Sequence, residues 1–259
     1  MMQWTVLYKK EMLEMWRGYK WMWLPLVFIL LGAMQPITTY FMPQILEAAG
    51  GLPEGATIEI PTPTGGEMMA AVIDQYGTLG VLLLALAGMG IMAGEKQSRS
   101  ISLIMVRPVP HASFMTAKWA AFATIGLVSF VIGSLSGWYY TELLIGDVSI
   151  SSVIEALSVY GLWLLFVMTV TILMSTLLKG NSAIAFVSIL IIVVVSVTTS
   201  LLSKWMMWSP ARLTGHAAQI LANGEAGKYF AISLIVATIA IVGMLIVAIA
   251  SFKRQELAD

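Results

Sequence analysis

The chain contains no cysteine among its 259 residues, and charged residues make up only 11% of it. The missing cysteine excludes disulfides, cysteine metal sites and thiol catalysis. Soluble domains carry about 25% charged residues, so this low content argues against a soluble fold. The net charge is zero, so no overall electrostatic field favours a nucleic-acid partner.

Common catalytic signatures are missing as well. The sequence has neither the G-x-x-x-x-G-K-[ST] loop that cradles ATP phosphates nor the H-E-x-x-H zinc motif. Its two histidines, His111 and His216, are too far apart in sequence to suggest a metal cluster. The run from Gly133 to Gly137 has the G-x-S-x-G pattern, but neither histidine lies in a predicted span to serve as its base. We therefore expect no enzyme activity, no catalytic residue and no metal site.

Hydrophobic residues make up 59% of the chain and are concentrated in six long runs. Each run is close to the roughly 20 residues that a helix needs to cross a bilayer. The sequence therefore predicts an all-α integral membrane protein. No A-x-A-like cleavage site follows the first run, so we expect this run to remain as a span. The six predicted transmembrane helices are 21–41, 72–94, 118–140, 156–178, 183–203 and 229–252.

The distribution of Lys and Arg predicts the orientation of these spans. Eleven of the fourteen basic residues precede the first span, follow the sixth, or lie between spans two and three or four and five. Cytoplasmic segments are enriched in positive charge. We therefore predict that both termini are cytoplasmic and that 42–71 and 204–228 are extracytoplasmic.

Residues 1–20 are predicted to form an amphipathic helix at the inner interface. At 100° per residue, aromatic and methionine side chains form one stripe and basic side chains form a neighbouring stripe. Such a pattern suits an elbow helix lying in the headgroup layer, and the alternative is a solvated lead-in to the first span. The predicted interface residues are Trp4, Tyr8, Lys9, Lys10, Met12 and Trp16.

The ionisable residues near the spans are predicted to lie at helix ends. We expect Asp74 and Glu155 at outer ends and Lys118 at an inner end, where its long side chain can snorkel to water. The prolines and paired glycines of 42–71 argue against a long helix there. Its four glutamates suggest either a cation site or, more simply, a solvated acidic loop. With no carboxylate in mid-span, the energy for any transport is expected to come from another protein.

The outer segment 204–228 is predicted to contain a short amphipathic helix. Ser209 is a suitable N-cap with Pro210 as the first helical residue, and Asn223-Gly224 is a suitable stop. This helix either forms a lid over an exit path or lies on the outer leaflet, and we interpret its histidine as solvated. The predicted exit-side residues are Arg212, His216 and Gln219.

The cytoplasmic segment 95–117 is long, charged, partly apolar and stiffened by two prolines. Such a segment is typical of a docking surface for another protein; the alternative is an interfacial segment held by lipid headgroups. The predicted partner-binding residues are Glu95, Lys96, Ser98, Arg99, Ser100, Arg107, Pro108 and His111.

Taken together, these features resemble ABC-2-type permeases, the membrane subunits of bacterial ATP-binding-cassette exporters. The resemblance covers the whole chain and depends on the Lys-Lys-Glu run of the first helix, the charged turn at Glu95, the Arg107-Pro108-Val109 corner, Lys118 and the Ser209-Pro210 helix start. It implies a multi-pass protein of the bacterial cytoplasmic membrane, a second permease half and a separate ATPase that docks on 95–111. The chain itself would bind no cofactor, because the ATPase subunit would bind the ATP.

Three functions follow as hypotheses from these observations. The first is the permease subunit of an exporter, the second is a membrane scaffold or sensor that holds a cytoplasmic partner, and the third, weakest, is an intramembrane enzyme. The residues that bind a substrate are left open. Apolar spans with scattered Ser, Thr and Met suit a lipid, a hydrophobic peptide or an amphipathic drug alike.

Overall fold

The structure is a computed structural model that describes residues 2–48, 63–92 and 110–256. Within these residues the regular secondary structure is helical and there is no strand. Six helices are long and apolar enough to cross a membrane. The predicted fold class, an all-α protein with six spans, is therefore confirmed, and the even number of spans places both ends of the described chain on the same side.

The helices follow one another with short connections. They are α1 (Met2–Arg17), α2 (Lys20–Ala48), α3 (Gly65–Gln75), a π-helical turn (Tyr76–Gly80), α4 (Val81–Gly88), α5 (His111–Leu144), α6 (Ile150–Leu177), α7 (Asn181–Leu201), α8 (Arg212–Asn223) and α9 (Phe230–Glu256). The six spans are Lys20–Leu46, Gly65–Met92, His111–Leu144, Ile150–Leu177, Asn181–Leu201 and Phe230–Arg254.

The predicted outer loop 42–71 is too long at both ends. Helix α2 runs past Pro43, and α3 begins at Gly65 rather than at the predicted start of span two. The Thr64 side chain accepts the amide of Glu67, and the Glu67 carboxylate accepts the amide of Thr64. This capping box satisfies the free amides at the helix start, so Glu67 is a capping residue rather than part of a solvated loop.

The predicted cytoplasmic segment 95–117 is likewise too long. Helix α5 begins at His111, directly after Pro110, so the last seven residues of that segment are helical. A proline just before a helix is tolerated because the first helical turn needs no donor from it. The remainder of the segment lies outside the described residues.

The spans α2 and α5 pack backbone to backbone through glycines. A Cβ atom at Gly133 would lie 2.6 Å from the carbonyl oxygen of Phe28, and one at Gly137 would lie 3.1 Å from that of Gly32. The predicted small-residue packing face at Gly133 and Gly137 is thus confirmed. The same prediction is wrong for Gly90, where a Cβ would meet open space.

Helix α8 starts two residues later than predicted. Ala211, not Ser209, is the capping position, although the Ser209 hydroxyl accepts the Ala211 amide at 3.3 Å within the preceding turn. The predicted stop is confirmed, because α8 ends at Asn223 and Gly224 adopts the left-handed φ of +78° that favours glycine.

Candidate functional site

A buried ion pair joins α1 to α5 at the predicted inner end of the bundle. Lys118 is 1% exposed, and its Nζ lies 2.8 Å from the Oε2 atom of Glu11, which is 3% exposed. Lys10 contacts the other oxygen of the same carboxylate at 3.1 Å. The expectation that Lys118 snorkels to water is therefore wrong. Its charge is kept inside because an opposite charge offsets the cost of removing it from water.

Two of the predicted interface residues hold α1 against α5. The indole N–H of Trp4 donates to the hydroxyl of Thr116 at 3.1 Å, and the hydroxyls of Tyr8 and Thr124 lie 3.0 Å apart. Because α1 packs across a span, it is more than a solvated lead-in. The other predicted residues lie outside this contact: Lys9 and Trp16 are exposed, and Met12 is half-buried.

Glu11 was missed as a site residue by the sequence analysis. On a helix with 100° per residue, Glu11 lies only 20° from Trp4. The signal was therefore present, because a carboxylate inside an apolar stripe faces whatever the stripe faces and needs a cationic partner there. The identity of that partner could not be read from the sequence, since Lys118 is 107 residues further along.

The connection between α1 and α2 is a tight elbow. Tyr19 has a left-handed φ of +57°, which reverses the chain between Arg17 and Lys20. The Lys20 side chain then donates to the carbonyl of Ala87 at 2.8 Å. The first span is thus fixed to the end of the second at the same level as the ion pair.

Most of the predicted partner-binding residues cannot be placed. Glu95, Lys96, Ser98, Arg99, Ser100, Arg107 and Pro108 lie outside the described residues. His111 is described, and its ring lies 5.9 Å from that of Phe252 at the inner end of α9.

Both ends of the segment 93–109 nevertheless lead to the ion pair. On one side, Lys118 also donates to the carbonyl of Ile91 at 3.4 Å. On the other side, His111 lies on α5 about 10 Å before Lys118 along the helix axis. The segment is therefore attached at both ends to the place where α1, the second span and α5 meet.

At the outer side, α8 packs onto the bundle. Its buried face contacts α3, and the carbonyl of Leu221 lies where a side chain at Gly66 would be. Its predicted apolar face is buried as expected. The helix is thus part of the packed core, although its role as an exit lid stays a prediction.

His216 on α8 is buried rather than solvated. It is 4% exposed, its ring lies 5.5 Å from that of Phe230, and neither ring nitrogen has a hydrogen-bond partner among the described residues. Burial, assisted by the charge of Arg212, lowers the pKa of His216 below its usual value. The other two predicted exit-side residues are more accessible: Arg212, which donates to the carbonyl of Ser203, and Gln219, which is exposed.

Asp74 lies inside the second span and not at its end. The span begins at Gly65, so Asp74 is about 13 Å along it. Val72 packs at Gly137, and the Tyr76 ring lies 5.6 Å from that of Phe130. Asp74 is therefore level with the stretch of α5 between those two residues, on the midplane side of the aromatic belt at Trp138–Tyr140. The expectation of no carboxylate within the spans is wrong because the helix starts earlier than its apolar run.

A π-helical turn follows Asp74 and is surrounded by buried polar groups. Such turns occur often at functional sites. The Tyr76 hydroxyl donates to the carbonyl of Phe28 at 3.0 Å. The Tyr160 side chain is fully buried, its hydroxyl oxygen lies 3.5 Å from the Cβ position of Gly77, and it has no hydrogen-bond partner in the described chain.

A groove of about 540 Å³ runs between α5 and α6. Its lining is apolar except for Ser158 and the indole of Trp138. Phe130 forms one wall, and its ring also stacks on that of Tyr160 at 5.2 Å. The groove and the buried aromatic cluster at the π-helical turn therefore share a side chain.

Comparison with known proteins gives a family but no activity. Residues 56–258 match the family described as "Protein of unknown function (DUF2705)". A relative in Bacillus subtilis (strain 168), described as "Uncharacterized transmembrane protein YxlG", is 35% identical over 250 residues, which cover 96% of this chain and 97% of the relative. The six spans and this relative show a multi-pass membrane protein.

These comparisons correct the resemblance drawn from the sequence. The matching family is not that of the ABC-2-type permeases, and no model of that family matches the chain. The shared features were six spans, an amphipathic first helix and a charged inner segment. They describe an architecture that unrelated membrane proteins also use, so the assignment was wrong. The chain belongs to the DUF2705 family.

Proposed function

We propose that this protein is a transport subunit of the bacterial cytoplasmic membrane, driven by a separate ATPase that docks on residues 95–111. One observation carries the proposal: the attachment of both ends of this segment to the buried Glu11–Lys118 pair. A force applied to the segment reaches three spans at once from this position. Asp74 removes the earlier reason for an external energy source, so the proposal depends on the inner face alone.

The proposed motion is a rigid-body movement of packed helices. Helix α5 continues from the segment and packs closely on α2 through Gly133. Helix α1 is tied to the same α5 through Lys118 and Trp4. Packed cores move as units rather than bending continuously, so pushing the start of α5 would shift α1 and α2 with it. A second copy or a related subunit would complete the transport path.

The test is co-purification of the tagged protein from its own membranes in mild detergent. We expect a P-loop ATPase to be recovered with it, identified by mass spectrometry and by ATP hydrolysis. Glu95→Ala and Arg107→Glu should lower the recovery of the ATPase severalfold without lowering the amount of inserted protein. Glu142→Ala, which changes an exposed carboxylate at the other end of α5, is the matched control.

A scaffold or sensor is the competing function, and the same experiment separates the two. Stable recovery of a cytoplasmic partner that has no ATPase would favour the scaffold. Full recovery of an ATPase with both variants would contradict the docking role of 95–111.

A further inference from the structure

The face of the second span that carries Asp74 is exposed along its length. Thr78, Leu82 and Leu86 follow Asp74 at intervals of four residues, and all four are exposed. Asp74 has no ion pair with any residue that the structure describes. A carboxylate at this depth is costly in lipid and faces a water-filled cavity or a binding partner. This face is therefore not simply a lipid-facing surface.

Two further oxygen atoms beside Asp74 are buried and unpaired within the described chain. They are Oε1 of Gln75, the next residue, and the hydroxyl of Tyr160, which is close enough to interact electrostatically with Asp74. Buried polar atoms are normally hydrogen-bonded, and those that are not require an explanation. A bound group that attracts oxygen atoms would satisfy all three positions.

We propose that Asp74 binds the positively charged group of an amphipathic organic cation, with Tyr160 and Gln75 supplying neutral oxygens beside it. The inference rests on the proposed transport role, because it names the class of substrate. The exposed Leu82 and Leu86 side chains continue from Asp74 towards the inner end of the span and offer an apolar surface for the rest of such a molecule. Electrostatic attraction in this low-dielectric position selects for charge, and the apolar stripe selects for hydrophobicity.

A divalent metal ion fits this site less well than an organic cation does. Within the described residues, no three His, Asp or Glu side chains come together to hold a metal. Hard divalent cations bind through six or more oxygen ligands, usually including several carboxylates. A single carboxylate beside an apolar stripe matches a singly charged, weakly hydrated group.

The test is equilibrium binding of tetraphenylphosphonium to the purified protein in lipid nanodiscs, with tetraphenylborate as a probe of the same shape and opposite charge. No ATPase or ATP is present, so the result does not depend on the docking role of 95–111. Asp74→Asn should weaken tetraphenylphosphonium binding at least about tenfold and should not weaken tetraphenylborate binding. Tyr160→Phe should weaken the cation severalfold.

The matched control is Glu155→Gln. Glu155 is an exposed carboxylate in the outer part of α6, and it lies about 140° around that helix from Tyr160. It should bind the cation like wild type, and Asp74→Glu, which keeps the charge, should retain most of the binding even if Asp74→Asn folds poorly. Wild-type affinity in Asp74→Asn, equal losses in Glu155→Gln, or no cation binding by the wild type would each overturn the proposal.

Discussion

At the residue scale, burial of charge separates the informative positions of this chain from the others. Lys118 and Glu11 are almost completely buried and form an ion pair, whereas Asp74 is exposed within a span without an ion-pair partner among the described residues. A paired charge costs little to keep, but an unpaired charge in a membrane requires a reason. The first case indicates a structural joint and the second a binding position.

Replacing Lys118 with Met should destabilise the protein strongly. The change leaves the Glu11 carboxylate buried without its partner, which costs about 3 kcal/mol, or roughly 10 °C in Tm for a chain of this size. Thermal unfolding followed by tryptophan fluorescence in detergent measures the effect. The double variant Glu11→Met with Lys118→Met should recover most of the loss, and Lys10→Met, at an exposed position, should change little. A double variant as unstable as the single one would show that the ion pair is not the cause.

His216 should make the outer helix sensitive to acid. Its pKa is lowered in the folded protein by burial and by Arg212, so the unfolded chain takes up the proton first as the pH falls. The stability that depends on neutral His216 is complete above its unfolded pKa of about 6.5 and is lost as the pH falls through the lowered value.

The measurement is the difference in Tm between pH 7.5 and pH 5.0. We expect a fall of a few degrees in the wild type, and His216→Leu should reduce that fall because nothing remains to protonate at this position. His111→Leu changes the other histidine of the chain and serves as the control. If His216→Leu shows the same fall as the wild type, acid acts at another group.

At the element scale, the first two outer spans owe their limits to details that hydrophobicity does not report. The apolar runs predicted the existence of all six spans. They did not predict that α3 begins at Gly65, because that start depends on the Thr64–Glu67 capping box and on a close backbone approach at Gly66. Asp74 was misplaced for the same reason. Sequence periodicity predicts which face of a helix is apolar, but long-range partners such as Lys118 for Glu11 depend on tertiary packing.

Gly133→Ala should weaken the packing of α2 on α5. The new Cβ atom would lie 2.6 Å from the Phe28 carbonyl, so the two helix backbones must move apart. Overpacking of this kind costs about 1–3 kcal/mol, measured as a fall in Tm. Gly90→Ala and Gly243→Ala are matched controls, because at both positions a Cβ meets open space. Equal effects at the three positions would show that close approach is not what Gly133 provides.

At the scale of the whole molecule, six spans and the distribution of basic residues together predict the sidedness. The even number of spans follows from the structure, whereas the choice of side follows from the positive charges alone. The proposed docking segment 95–111 needs a cytoplasmic position, and the lid interpretation of α8 needs an external one.

Reporter fusions test this orientation directly. Green fluorescent protein at either terminus should fluoresce, and alkaline phosphatase at either terminus should be inactive in intact cells. Alkaline phosphatase inserted after Gly224, next to α8, should be active. The opposite pattern would reverse the protein in the membrane and with it the proposed docking of an ATPase.

The pairing of Glu11 with Lys118 also sets an order for biogenesis. The carboxylate is made near the beginning of translation, but its basic partner is made only after two complete spans have left the ribosome. Until then the first helix cannot take its final seat, and its acidic group must stay in the aqueous boundary of the membrane. The nascent protein therefore closes its inner end only when the third span arrives, so ribosome release and insertion of that span are coupled to the locking of the amino terminus.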